Sequence, residues 1–213
     1  IHTSTPGPVG LCALAIARTL DLPIFGTYHT ALPQYAAELT EDNDIEELMW
    51  KAMIWFYNQM DVVYVPSRAT GNELVAKGMK ESKVQLYPRG IDIERFHPQK
   101  RNGFWESSYG LDRKSMKMLY VGRVSKEKNL EVLVRAFRRL EATGKDVDLI
   151  VVGNGPYKKE MEASLQNSRA LFTGELFGEE LAQAYASSDV FVFPSTTDTF
   201  GNVVLEAQAS GIP

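Results

Sequence analysis

Alternation is the feature that most limits what this chain can fold into. Short runs rich in β-branched and aromatic residues recur at residues 1–3, 23–30, 61–67, 84–87, 116–121, 147–152, 170–173 and 190–194. Stretches with helical spacing separate most of them: 9–20, 45–59 and 68–77 in the first half, then 129–142, 157–166 and 179–187. A last helix starts at Asn202 and stops at Gly211, with Pro213 beyond. Unbroken apolar runs suit strands buried on both faces, and parallel strands need a crossover helix between them. The spacing therefore predicts parallel β-α units, and the second half predicts a doubly wound α/β sheet.

A stretch without period, Pro88 through His97-Pro98 and on to Arg113, divides the halves. It places a first domain over 1–95, a linker and lead-in over 96–115, and a second domain over 116–213. His97, before Pro98, is given no chemistry. The chain opens at Ile1-His2-Thr3 without Met and stops at Gly211-Ile212-Pro213, where another strand is expected. Both domains are accordingly expected to be incomplete, and the chain an excerpt of a longer protein.

Composition removes several classes. A net charge of −4 argues against a dedicated nucleic-acid binder, which would normally be basic. Cys12 is the only cysteine, so an intrachain disulfide is impossible and a reducing compartment is expected. Among Leu11, Ala13 and Leu14 it reads as a small buried thiol. No apolar run approaches the ~20 residues of a transmembrane helix. An acidic segment spans 38–47, and the helix after it turns Leu48, Met49, Ala52, Met53 and Phe56 to one side. Most of Trp50, Trp55 and Tyr57 read as core. Arg135, Arg138 and Arg139, mixed with Glu131 and Glu141, read as a solvated helix face.

On a doubly wound sheet, ligands bind beyond the C-terminal ends of the strands, so the residues after each strand carry the functional reading. After residues 116–121 come Gly122 and Arg123, with Lys128 at the start of the next helix; two cations there suit a diphosphate. After 147–152 comes Gly153-Asn154-Gly155-Pro156. Lys158 stands where a dinucleotide fingerprint needs its third glycine, which disfavours a dehydrogenase. After 170–173 comes Gly174-Glu175-Leu176-Phe177. After 190–194 a polar loop runs into the last helix, with Asp198 and Glu206 eight residues apart across that corner. Backbone amides from Thr199 to Asn202 lie at the helix N-terminus, where an anion is favoured. Two carboxylates around an anion nest suit a ligand with phosphates and sugar hydroxyls. The plain alternative is a capping Asp198 and a solvated Glu206.

The segment TDTFGNVVLEAQASGIP resembles the E-x7-E signature of retaining, nucleotide-sugar-dependent glycosyltransferases of family 4, which have the GT-B fold of two Rossmann-like domains. Its first acidic position is usually Glu, where this sequence has Asp198. The G-R-x-x-x-x-K arrangement matches Gly122, Arg123 and Lys128, the pair that grips the donor diphosphate in that family. The resemblance implies Leu176 and Phe177 beside the donor base, and Asp198 near the sugar hydroxyls. It implies Thr199, Phe200, Gly201 and Asn202 against sugar and phosphate, Glu206 on the ribose, and Val204 and Leu205 in the core. Thr27-Tyr28-His29 resembles the family's T-x-H motif, which implies that His29 contacts the transferred sugar. Gly7 and Pro8 fall on the acceptor side.

YHTALPQY with DTFGNVVLEA looks most like the branch of bacterial mannosyltransferases and sulfoquinovosyl-diacylglycerol synthases. The implied reaction moves a hexose from GDP-mannose or a UDP-hexose to an acceptor hydroxyl on a lipid or glycan, with retention. Neither cofactor nor metal is expected. The implied place is the cytoplasm, at the inner face of the membrane where missing segments would dock on lipid. A non-catalytic nucleotide-sugar-binding module and a sugar-nucleotide epimerase of the same fold are the alternatives.

Overall fold

The computed structural model describes residues 1–40, 42–88, 90–196, 198 and 200–213. They divide into two compact units, Ile1–Gly90 with Thr197–Phe200, and Ile91–Thr196 with Gly201–Pro213.

The first unit holds a parallel sheet of β1 (His2–Thr3), β2 (Phe25–Thr27), β3 (Val62–Val65) and β4 (Val84–Leu86) in that spatial order. Its helices are α1 (Pro8–Thr19), α2 (Leu32–Thr40), α3 (Asn43–Asn58) and α4 (Arg68–Ala76). Val63 and Val65 alternate into one core with Leu14 and Ala17 of α1, Trp50, Met53, Phe56 and Tyr57 of α3, and Leu74 of α4. Helix α2, unassigned in the sequence reading, ends just inside the acidic segment 38–47; Pro33 sits in its first turn, where a missing N–H costs nothing. Two expectations fail on helix faces. Helix α1 buries Gly10, Leu14 and Ala17, so Cys12 falls on the opposite side and is exposed. On α3, Met53 and Phe56 are buried, while Leu48, Ala52 and Trp55 face out.

The second unit contains α5 (Phe104–Tyr109), β5 (Met116–Val121), α6 (Leu130–Glu141), β6 (Val147–Val152), α7 (Lys158–Ser164), β7 (Ala170–Gly174), α8 (Gly178–Ala186), β8 (Val190–Phe191) and α9 (Asn202–Ala209). Strand order is β7-β6-β5-β8, all parallel. Alternation along β5 and β6 builds two cores. Leu119, Val121, Ile150 and Val152 meet α8 and α9; Met118, Tyr120, Leu149 and Val151 meet α6 and α7. Both strands are apolar apart from one buried charge near the start of each, Lys117 and Asp148, because both faces are covered.

Residues 96–115, read in sequence as linker and lead-in, add Phe96, Phe104 and Trp105 to this unit's core. The Trp105 indole N–H donates to the Ala184 carbonyl (3.1 Å) and Ser188 Oγ (2.9 Å). Lys117, almost fully buried, donates to the Asp112 carbonyl and the Ser115 carbonyl (2.9 Å) and pairs with Glu106 (3.1 Å). Strand β8 is shorter than its apolar run: the Val192 amide bonds Leu119 O (2.8 Å) and the chain then leaves the sheet.

The loops after β5 and β6 are laced by backbone. The Val124 amide donates to Asn154 O (2.9 Å), and the Tyr157 amide donates to Val124 O (3.0 Å). A Cβ on Gly153 would lie 2.0 Å from Gly122 O, and one on Gly155 would lie 2.2 Å from Val124 O. Both obstacles are backbone atoms, so no side chain can swing away. Gly153→Ala, also strained by a φ of +135°, is expected to lower the thermal unfolding midpoint by about 5 °C or more. Gly90→Ala, with open space around it, serves as the control; equal midpoints for the two variants would contradict the close-approach argument.

Candidate functional site

Strand order locates the crevice. From β5 the chain steps outward to β6 and β7, then returns to the other side of β5 as β8. Sheets that reverse in this way bind ligands beyond the C-terminal ends of the strands at the reversal. The first unit's sheet runs β1 to β4 in one direction and shows no such reversal among the described residues.

Beyond β5, the loop is fixed by buried Tyr120, whose hydroxyl donates to Arg123 O (2.8 Å). Ser125 Oγ donates to Glu127 (2.5 Å), a 3-10 turn covers Lys126–Lys128, and Asn129 adopts the left-handed conformation that opens α6. Gly122 and Arg123 line a pocket of about 400 Å³ together with Gly153, Asn154, Glu175, Leu176 and Phe177. Four sequence-predicted residues (Gly122, Arg123, Leu176 and Phe177) thus meet in one place. Arg123 is exposed there, and Phe177 presents 71% of its surface. Lys128 differs: it is buried within the loop.

Beyond β8, Gly201 takes the left-handed conformation (φ 67°) immediately before α9. As a glycine it offers no side-chain cap, and the first turn of α9 has no acidic residue, so the positive end of the helix is uncompensated from within. Asn202 is exposed. Glu206 lies one turn further along and is half-buried. Its Oε2 accepts a hydrogen bond from the Tyr185 hydroxyl of α8 (2.8 Å). Burial pushes the Glu206 carboxyl above the usual range, against the opposing effect of that hydrogen bond. Val204 and Leu205, expected as core, are only half-buried; Ala207 is the buried residue of α9.

Asp198 is exposed, and it and Phe200 fall within the first compact unit. Thr199 lies outside the described residues. In the first unit, Gly7 is the N-cap of α1 and Pro8 its first residue. His29, half-buried, follows Tyr28, whose amide bonds Tyr64 O (2.9 Å) just past the end of β2.

Sequence reasoning missed Tyr185. It sits among Ala182, Ala184 and Ala186 in a helix to which the sequence reading gave no role, and the available signal was that a buried tyrosine hydroxyl needs a partner. A larger cleft of about 810 Å³, lined by Arg101, Glu106 and Arg113 among others, lies by residues that precede β5 and β8. Two of those groups are committed to structure: Arg101 pairs with Asp189 (2.7 Å) and Glu106 with Lys117 (3.1 Å). Among the described residues no cluster of metal-ligating side chains occurs, and no helix is long and apolar enough to cross a membrane.

Known proteins share this fold and sequence. The family described as Glycosyl transferases group 1 matches residues 115–213, and Glycosyltransferase Family 4 matches residues 1–95. Sulfoquinovosyl transferase SQD2 of Arabidopsis thaliana is 39% identical over the whole chain, which covers 41% of that protein. A GDP-mannose-dependent alpha-mannosyltransferase of Mycobacterium tuberculosis is 35% identical, again over the whole chain and 53% of the relative. The structure of Anabaena HepE in complex with UDP and glucose superposes with a TM-score of 0.81 at 19% identity, over 99% of this chain and 57% of that one. The fold is therefore that of the GT-B proteins. The chain belongs to the group 1, family 4 glycosyltransferases, and it spans about half the length of the curated relatives it matches.

The raised Glu206 carboxyl has a measurable consequence. A folded-state value above the unfolded one means that folding favours the protonated acid, so the ionised group destabilises the fold at neutral pH. Glu206→Gln keeps an acceptor for Tyr185 and removes the charge. It is expected to unfold at a higher temperature than the parent at pH 7, with the advantage fading as pH falls through the raised value of the folded carboxyl and gone below the ordinary value of 4.5. An unchanged or lower midpoint at pH 7 would contradict the burial argument.

Proposed function

We propose that the chain carries the donor site of a retaining glycosyltransferase that moves a hexose from GDP-mannose or a UDP-hexose to an acceptor hydroxyl on a lipid or glycan. The observation that carries this reading is the pocket beyond the reversal in the second sheet, where Gly122, Arg123, Leu176 and Phe177 come together. Its support from relatives is the naming of two of them as sulfoquinovosyl and GDP-mannose-dependent transferases. In this reading residues 1–95 form the acceptor side and 116–213 the donor side, with 96–115 leading into the latter.

Each residue has a role that its chemistry suits. Arg123, with Lys128, holds the diphosphate; a guanidinium gives two parallel donors to phosphate oxygens. Leu176 and Phe177 present apolar surface to the base. Glu206 accepts from the ribose hydroxyls. Gly201 and Asn202 offer first-turn amides to the phosphate end, with Thr199 and Phe200 beside them, and Asp198 takes sugar hydroxyls. His29 contacts the transferred sugar, and Gly7 and Pro8 flank the acceptor. In the reaction the bond between the anomeric carbon and the donor phosphate oxygen breaks, and its electron pair leaves with the nucleoside diphosphate. The acceptor oxygen bonds to the same face, and its proton passes to the leaving phosphate. Stabilising the charge that develops on that phosphate is the main catalytic term, and Arg123 and Lys128 supply it. The working place is the cytoplasmic face of a membrane, where a lipid acceptor would be met.

Calorimetric titration of UDP and GDP tests the site. One nucleotide is expected to bind, and Arg123→Ala is expected to weaken it roughly tenfold or more, the scale of a lost charge-assisted hydrogen bond. Glu206→Ala should weaken it as well. Folded protein that binds neither nucleotide would refute the reading. Turnover by the full-length enzyme is expected to persist in EDTA; loss that added metal restores would move the charge-neutralising role away from Arg123 and Lys128.

A further inference from the structure

Glu206 does not stand alone, and what holds it has a consequence for selectivity. Tyr185 is fully buried on α8. Its ring meets Phe96 edge-on (5.7 Å between centroids, 83°) and lies 5.9 Å from Phe191 of β8. Aromatic neighbours on two sides leave the ring little room to turn, so the hydroxyl is delivered to one place, 2.8 Å from Glu206 Oε2. A vicinal diol is recognised by a carboxylate only if two conditions hold. The carboxylate must stay ionised, so that it is all acceptor, and it must keep one rotamer, so that both oxygens face the diol. Burial works against the first condition at Glu206, and the tyrosine hydrogen bond works for it. The same bond, to an oxygen with lone pairs to spare, fixes the rotamer and leaves acceptor capacity on both oxygens. The cost is visible in Tyr185 itself: burial and the neighbouring Glu206 charge push its hydroxyl well above the ordinary tyrosine range, so it remains a donor at any working pH.

We infer that Tyr185 is a positioning residue that, by locking Glu206 as a ribose acceptor, sets the site's preference for ribonucleotide donors over those lacking the sugar diol. This rests on the reading of Glu206 as the ribose ligand. Deletion of the hydroxyl leaves a half-buried carboxylate short of one donor, free to protonate or to turn away. Contacts to base and diphosphate, made by Leu176, Phe177 and Arg123, do not pass through Tyr185.

The test compares UDP and GDP with their 2′,3′-dideoxy counterparts in the parent chain, Tyr185→Phe and Glu206→Ala. The phenylalanine keeps the ring between Phe96 and Phe191. The readout is the ratio of ribo to dideoxy affinity on one preparation, so any loss of folded protein cancels. Tyr185→Phe is expected to lose roughly three- to tenfold in affinity for the ribonucleotide, the scale of one hydrogen bond to a charged group, and little for the dideoxy analogue. Glu206→Ala is expected to abolish the preference. Equal weakening of both nucleotides by Tyr185→Phe would reduce it to a packing role and overturn the inference. An unchanged ratio in Tyr185→Phe, with the ratio lost in Glu206→Ala, would overturn it while leaving the ribose reading intact. An unchanged ratio in Glu206→Ala would remove the ribose reading and the inference together.

Discussion

The second unit depends on a place where side chains are excluded. Backbone of the β6–α7 loop presses against backbone of the β5–α6 loop, with Gly153 facing Gly122 and Gly155 facing Val124. That contact holds two amide–carbonyl bonds, Val124 to Asn154 and Tyr157 to Val124, and so fixes where Arg123 emerges beyond β5. The pocket between these loops and residues 175–177 is thus set by main chain, and side chains are left to do chemistry. The G-x-G-P turn, which superficially suggests a dinucleotide fingerprint, is used for close approach of two loops.

The two ends of the sheet divide the labour. Around the starts of the strands, charged groups are committed to structure: Lys117 bridges Asp112, Ser115 and Glu106, and Asp148 binds Arg169 (2.7 Å) and Ser115. Beyond the strand ends, Arg123 is exposed, Glu206 is held half-buried at a cost to stability, and α9 begins on an uncapped turn. A fold optimised for stability alone would not leave a carboxylate where burial opposes its charge; this is the pattern of a site kept for binding.

Much of this was legible in the sequence, for reasons that can be named. The runs at 116–121 and 147–152, apolar but for Lys117 and Asp148, signal strands covered on both faces, and β5 and β6 match them residue for residue. That Gly122, Arg123, Leu176 and Phe177 line one pocket follows from parallel strands, whose following residues share one edge of the sheet. Helix α2 was passed over although Leu32, Tyr35, Ala36 and Leu39 have helical spacing, because the stripe is only two turns long and Pro33 reads as a breaker. Helix α5 is six residues long, too short for periodicity to show, yet it brings Phe104 and Trp105 into the core. Cys12 was assigned to the core from apolar neighbours in sequence, when the helical phase of Gly10, Leu14 and Ala17 turns it outward. The Tyr185–Glu206 pair spans 21 residues and two helices, a relation that no local pattern encodes.

The central claim is that the second unit's strand-end pocket holds a nucleoside diphosphate. Backbone-amide NMR of the isotope-labelled chain, followed during addition of UDP and then of GDP, tests it most directly. The account predicts saturable shifts concentrated at Gly122, Arg123, Leu176, Phe177, Asn202 and Glu206 for at least one of the two. Shifts gathered instead around Arg101, Glu106 and Arg113, at the opposite ends of the strands, would contradict it.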